Sequence, residues 1–320
     1  MIWLFHIIIF LASCLVLSWL SSRLIKSLIQ IAKFLGWREF IIAFFVMAFA
    51  ASLPNLFVGL NAAWQGIPEL SFGDIIGGNL VDLTLVMAIA IFFSKNPIST
   101  KSEMVQKSAI FTAIIAVLPL LLVVDGTLNR FDGLVLLAAF VVYSVWVFSK
   151  KERFSKVYHN HEENIITGFK HFLVNLVKIL LLLGLLLVMS QIIVTSAQFF
   201  SSKLGISLSL VGILIVGLGN CFPEAYFSII SARKGKNWLV LGDLMGSVIV
   251  STTLVLGIVA LIAPFEIKDF SPFLIARIFL IVGSLFALLF IRSGRKITKK
   301  EGLLLLGIYI TFLLTEIFLK

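Results

Sequence analysis

The chain has 320 residues, of which 60% are hydrophobic and only 13% charged, with a mean hydropathy of +1.11. That leaves too little polar surface for a soluble domain of this length and points to an integral, multi-pass membrane protein. The net charge of +10 does not indicate nucleic acid, because the basic residues fall in short loops between apolar runs, as membrane topology demands.

Ten apolar segments of spanning length follow one another, at about 2–21, 40–62, 72–94, 108–124, 131–149, 172–197, 207–231, 238–263, 271–291 and 302–319. The first has no Lys or Arg before Arg23, so it lacks the basic start of a secretory signal and reads as a retained helix. Residues 22–36 keep helical spacing and prolong it along the interface. The two cysteines, Cys14 and Cys221, lie inside apolar segments and give no disulfide framework. The stretch 150–170, with His159 and His161, is read as a solvated linker between a first unit, 1–149, and a second, 171–320.

Alternate loops differ sharply in charge. Those after the first, third, fifth, seventh and ninth segments hold 20 of the 26 basic residues, whereas the others hold only Arg130, Lys203 and Lys268. Positive loops stay in the cytoplasm, so both termini are expected outside, most simply at the plasma membrane.

The segments also repeat. Pro54 and Pro223 stand 169 residues apart, and the same offset carries Gly36 to Gly205, Gly66 to Gly235, Gly73 to Gly242, Asp74 to Asp243 and Gly77 to Gly246. The repeated motifs span 46–86 and 215–255. Each puts a proline and polar side chains into one apolar segment and a Gly-Asp-x-x-Gly turn into the next. Five segments per half is an odd number, so the second half is expected to enter the membrane upside down relative to the first. The predicted fold is an all-α membrane protein of ten transmembrane helices in two inverted five-helix repeats.

Polar and ionisable residues at membrane depth are costly and point to function. Helical spacing sets Ser52 and Asn55 at i, i+3, and Cys221 and Glu224 likewise, with Asn220 one turn before Glu224. Ser247 and Ser251 share one face, as do Gly78 and Asp82. Pro54 and Pro223 each free a carbonyl one turn earlier, and such carbonyls can hold a cation where they line a cavity. Carboxylate, amide, hydroxyl and carbonyl oxygens are the hard ligands that Ca²⁺ takes in sets of six to eight. The candidate metal-ligating residues are therefore Ser52, Asn55, Asp82, Asn220, Cys221, Glu224, Ser247 and Ser251. Asp74 and Asp243 either line the ion pathway or cap the starts of their helices. Cys221 would favour softer divalent metals if it ligated. The glycines Gly73, Gly77, Gly242 and Gly246 leave room for close helix crossing.

These residues resemble a known family. Val46-Met-Ala-Phe-Ala-Ala-Ser-Leu-Pro-Asn55 and Val216-Gly-Leu-Gly-Asn-Cys-Phe-Pro-Glu224 look like the two alpha-repeats of the cation/calcium exchanger superfamily, sodium/calcium exchanger branch. That pattern is Gly-Thr-Ser-x-Pro-Glu/Asp followed by Gly-Asn-x-x-Gly-Ser, and Gly73-Asp-Ile-Ile-Gly-Gly78 and Gly242-Asp-Leu-Met-Gly-Ser247 are similar to its second part. The resemblance implies a central site where Na⁺ and Ca²⁺ compete, and a first and sixth helix that slide as a gating pair. It puts the ligand positions on Ala51, Ser52, Asn55, Gly78 and Asp82, and on Asn220, Cys221, Glu224, Ser247 and Ser251. Several depart from the pattern: Asn55 replaces an acid, Gly78 a serine, Asn220 and Cys221 a hydroxyl pair, and Asp74 and Asp243 an asparagine.

The expected function is a secondary active cation antiporter that exchanges Na⁺ for Ca²⁺ by alternating access. One alternative is a proton-coupled exchanger or one for another divalent metal. Another is a transport-inactive membrane scaffold or sensor. No enzyme signature accompanies the repeats, no cofactor is expected beyond the transported ions Ca²⁺ and Na⁺, and the expected partners are the lipid bilayer and those cations.

Overall fold

The computed structural model describes residues 2–34, 49, 51–149, 165–267 and 271–318. Gly36, Arg38, His159, His161, Lys268 and the opening of the second segment lie outside the described residues. A backbone in hydrocarbon must satisfy its own hydrogen bonds, which favours long helices. The chain obliges with α1 (Ile2–Phe34), α2 (Leu53–Trp64), α3 (Pro68–Phe93), α4 (Glu103–Leu122), α5 (Arg130–Ser149), α6 (Ile165–Leu204), α7 (Leu208–Arg233), α8 (Asn237–Ile262), α9 (Ser271–Arg292) and α10 (Lys299–Phe318). Among the described residues, eight helices are long and apolar enough to cross a membrane. The first is one unbroken helix of 33 residues through Phe34, longer than its apolar core requires.

Burial sorts the helices into two layers. In their most apolar stretches α3, α8 and α7 are 83%, 78% and 67% buried, against 22–33% for α1, α5, α6 and α9. The first three therefore form the centre and the others present a lipid face. The sequence of α1 accounts for its place. Phe10, Cys14, Leu17, Leu20 and Leu24 recur every three or four residues and pack on Leu182, Leu186, Ile193, Val194 and Ala197 of α6. Ile8, Leu11, Leu15 and Trp19 face outward. Trp3 and Phe10 both meet Phe200 near the end of α6, so the two helices run antiparallel.

The centre is held by backbone-to-backbone contact. A Cβ on Gly73 or Gly77 would collide with the carbonyl of Ser209 or Ile213 of α7, and one on Gly212 would lie 2.6 Å from the Leu70 carbonyl. Only glycine lets α3 and α7 approach this closely. The connections α2–α3 and α7–α8 turn on Gly66 and Gly235, with φ of 71° and 69°, a left-handed conformation that costs other residues about 1 kcal/mol or more.

Three features were not foreseen. The strands β1 (Ile98–Ser99), β2 (Thr127–Leu128), β3 (Phe265–Glu266) and β4 (Lys296–Ile297) form two antiparallel pairs, β1 with β4 and β2 with β3. Each pair ties a loop of the first half to a loop of the second. The helices α3 and α8 carry π-helical turns at Asp82–Val86 and Ser251–Val255, again 169 residues apart. A third such turn, Gly212–Val216, lies in α7.

Candidate functional site

The site lies where α2, α3, α7 and α8 cross. Ser52 and Cys221 sit at equivalent breaks just before Pro54 and Pro223, with nearly identical backbone angles of φ −79°, ψ −3° and φ −81°, ψ 0°. Proline lacks the N–H that would continue the helix, so the turn before it loosens. At Asp82 and Ser251 the π-helical turns begin, and such turns often mark functional sites because they redirect side chains within a helix.

The two breaks make matching contacts across the molecule. The Ser52 hydroxyl donates to the Ser247 carbonyl at 3.4 Å, and the Cys221 thiol donates to the Gly78 carbonyl at 3.4 Å. Each donor and each acceptor is related to its counterpart by the same 169-residue offset. The Ser247 hydroxyl donates to Glu224 Oε1 at 3.2 Å. Cys221 and Ser247 both lie beside the Asp82 carboxylate.

All eight sequence-predicted ligands are buried, none more than 5% exposed. Asp74 and Asp243 are buried as well, and neither caps a helix. α3 begins at Pro68 and α8 at Asn237, more than a turn before these acids. Asp74 accepts two hydrogen bonds from Asn220 Nδ2, both at 3.0 Å, joining α3 to α7. Sequence reasoning missed Asn79 and Thr252. Asn79 Nδ2 donates to Thr252 Oγ1 at 2.7 Å, while the Ser251 hydroxyl donates to Asn79 Oδ1 at 3.1 Å. The available signal was a polar side chain directly after the Gly73–Gly78 motif, in an otherwise apolar run.

Several acceptor oxygens of the polar residues in these four helices stay unsatisfied. Asn55 Oδ1, Asp82 Oδ1, Asn220 Oδ1, Glu224 Oε2 and Asp243 Oδ2 are buried and accept no hydrogen bond from the described residues. Buried polar groups are nearly always partnered. Five orphaned acceptors in one crossing therefore call for a shared electrophile, a cation or a proton. Among the described residues none of the four acids forms a salt bridge. Nor do three or more His, Cys, Asp or Glu side chains come together to hold a metal ion by themselves. A cation here has to draw on amide, hydroxyl and carbonyl oxygens besides the carboxylates. A cavity of about 600 Å³ reaches this centre from the side of Arg23, Lys26 and Lys234, with Ala51, Pro223, Glu224 and Asp243 on its wall.

The family described as sodium/calcium exchanger protein matches twice, over residues 5–149 and 174–318. The chain belongs to the sodium/calcium exchanger family. The two matched stretches are themselves 169 residues apart at both ends, the same offset as the motifs and helix breaks. The sodium-calcium exchanger NCX_Mj, in a structure soaked with Na⁺ and Sr²⁺, shares this family member's fold with a TM-score of 0.68 and 23% identity, covering 98% of this chain and 99% of that one. CaxA of Alkalimonas amylolytica is 28% identical over 312 residues, covering 94% of this chain and 95% of its own. The sodium/calcium exchanger MaX1 of Methanosarcina acetivorans is 24% identical over 331 residues, covering 92% and 93%. The exchanger described here is thus a multi-pass, mostly helical cation/calcium antiporter by family.

Proposed function

We propose that the chain exchanges Na⁺ for Ca²⁺ through ten transmembrane helices arranged as two inverted five-helix repeats, residues 1–149 and 171–320 joined by a linker at 150–170. The cation binds between α2, α3, α7 and α8. Asp82 and Glu224, one carboxylate from each half, neutralise a divalent ion. Ser52, Asn55, Asn220, Ser247 and Ser251 and the carbonyls near the two breaks complete its oxygen shell. Asp74 and Asp243 flank the route. Na⁺ competes for the same carboxylates, and each ion shifts the protein toward the state that binds it better. α1 and α6 move as a pair, and both termini face outside the cell membrane.

The observation that supports this reading best is the set of five orphaned acceptor oxygens at the crossing of the two repeats. The test is uptake of ⁴⁵Ca²⁺ by Na⁺-loaded proteoliposomes diluted into Na⁺-free medium. Uptake that requires the outward Na⁺ gradient supports the proposal. Uptake driven equally by a pH gradient without Na⁺ would replace Na⁺ by H⁺ as the coupling ion.

A second reading concerns the ion. The Cys221 thiol sits beside Asp82 and the Gly78 carbonyl, and a thiolate prefers Zn²⁺- or Cd²⁺-like metals to Ca²⁺. Competition of Cd²⁺ with Ca²⁺ that vanishes in Cys221→Ser would favour it.

A further inference from the structure

The cavity that reaches the centre has a mouth whose chemistry does not suit a cation. Arg23 and Lys26 enter it from the end of α1, and Lys234 from just beyond the end of α7. All three are exposed at its rim. Basic residues near helix ends are explained by topology alone. Topology does not explain why two separate elements aim three of them into one cavity, nor the rest of its wall.

That wall is graded with depth. On α1, Leu15, Trp19, Ser22 and Lys26 recur every three or four residues, with Ser18 beside Trp19, and form one stripe along the cavity. The stripe passes from an apolar side chain through an indole and hydroxyls to a cation. Leu15 and Trp19 are 63% and 56% exposed, and Tyr226 on the facing wall 59%, so the cavity opens sideways to lipid. Trp19 also carries the Arg23 guanidinium over its ring at 5.2 Å, which holds that charge at the mouth rather than in the surrounding water. Apolar surface, then aromatic and hydroxyl groups, then converging cations, is the order a phospholipid presents from acyl chain to phosphate. Trp and Tyr sit by preference at this level of a bilayer, and basic pockets between membrane helices bind anionic headgroups.

We propose that this cavity is a binding site for an anionic phospholipid. Its phosphate is held by Arg23, Lys26 and Lys234 with the hydroxyls of Ser18 and Ser22 in reach, and its acyl chain lies against Leu15, Trp19 and Tyr226. The phosphate offsets part of the positive charge that otherwise stands across the route to Glu224 and Asp243. The lipid occupies the mouth of the cavity, outside the inner wall that carries Glu224 and Asp243, and its binding does not depend on which ion is carried.

The test uses the full-length protein in neutral detergent, with thermal unfolding followed as phosphatidylglycerol, phosphatidylcholine or inorganic phosphate is added. Phosphatidylglycerol is expected to raise the melting temperature. Phosphatidylcholine and inorganic phosphate are expected to leave it within a third of that shift. The R23A/K26A/K234A variant is expected to lose at least two thirds of the rise, while R292Q/R295Q/K299Q, which removes the same number of charges elsewhere, keeps it. Should the triple variant fail to fold, the single change K26E carries the test with the same expected direction. An undiminished rise in the cavity variants overturns the proposal, and so does a loss shared equally by the control. An equal rise with inorganic phosphate shows a free-anion site and overturns the lipid assignment.

Discussion

At the scale of single residues, the carboxylates decide the outcome. Among the described residues Asp82 and Glu224 are buried without a salt bridge, and each keeps an orphaned oxygen. Burying an unpaired charge is unfavourable by several kcal/mol, so these acids weaken the ion-free protein and repay that only when a cation arrives. Glu224→Gln and Asp82→Asn are therefore expected to fold at least as stably as the parent without divalent ions. They should also lose the stabilisation that ions confer, which is about 2.7 kcal/mol at a hundred times Kd. Thermal melting with and without Ca²⁺, beside ⁴⁵Ca²⁺ flux reduced at least about 100-fold, reads both effects. A variant that keeps its flux would remove that residue from the site. Gly78 allows a gain-of-ligand test. A Cβ there would lie 3.6 Å from Cys221 Sγ and 3.9 Å from the Gly217 carbonyl, ordinary contact distances. Gly78→Ser should fold normally and, by adding one hydroxyl donor–acceptor where the second half has Ser247, raise Ca²⁺ affinity about three- to tenfold, or roughly 1 kcal/mol. Unchanged affinity in an equilibrium binding assay would mean that this position faces away from the ion.

At the scale of helices, the contact between α3 and α7 separates glycines that look alike in sequence. Gly77→Ala drives a methyl into the Ile213 carbonyl, a backbone atom that cannot step aside, and Gly73→Ala does the same at Ser209. Each is expected to lose about 3 kcal/mol or more, or to prevent folding. Gly184 in α6 and Gly307 in α10 have nothing within 4 Å of a built Cβ. Alanine at those positions should be neutral or stabilising by up to about 1 kcal/mol through helix propensity alone. Yield and melting temperature of the four variants test this, and comparable losses at Gly184 would contradict the packing described. The same contrast shows what the sequence could reveal. Eight of the helices were readable as spans among the described residues, because a hydrocarbon solvent enforces length and apolarity in each of them. The π-helical turns were not, since one extra residue in a turn leaves hydropathy unchanged. The paired strands of two residues each were equally silent, being too short for any periodicity to register.

At the scale of the molecule, the 169-residue offset ties sequence to architecture. It relates motifs, the breaks at Ser52 and Cys221, the π-helical turns, the turn glycines Gly66 and Gly235, and the two matched family stretches. The candidate ligands were legible because membrane depth makes any polar residue conspicuous. Their partners were not. Asp74 meets Asn220 across 146 residues and Asn79 meets Thr252 across 173, and no local pattern encodes contacts between halves. What the offset leaves open is direction. An odd number of crossings per half inverts the second repeat, so each strand pair should join loops that are not equivalent by the offset but share one face, β1 with β4 on the basic face and β2 with β3 on the other. Single cysteines at Asn129, beside β2, and at Ser293, beside β4, in a C14A/C221S background separate the faces in intact cells. A membrane-impermeant thiol reagent is expected to label Asn129→Cys and to spare Ser293→Cys until the membrane is opened. The reverse pattern would turn the molecule over and put the basic mouth near Arg23 and Lys26 outside the cell. Labelling of both positions from one side would end the inverted-repeat arrangement itself, because α4 alone separates β1 from β2 and α9 alone separates β3 from β4, and one crossing puts the two strand pairs on opposite faces.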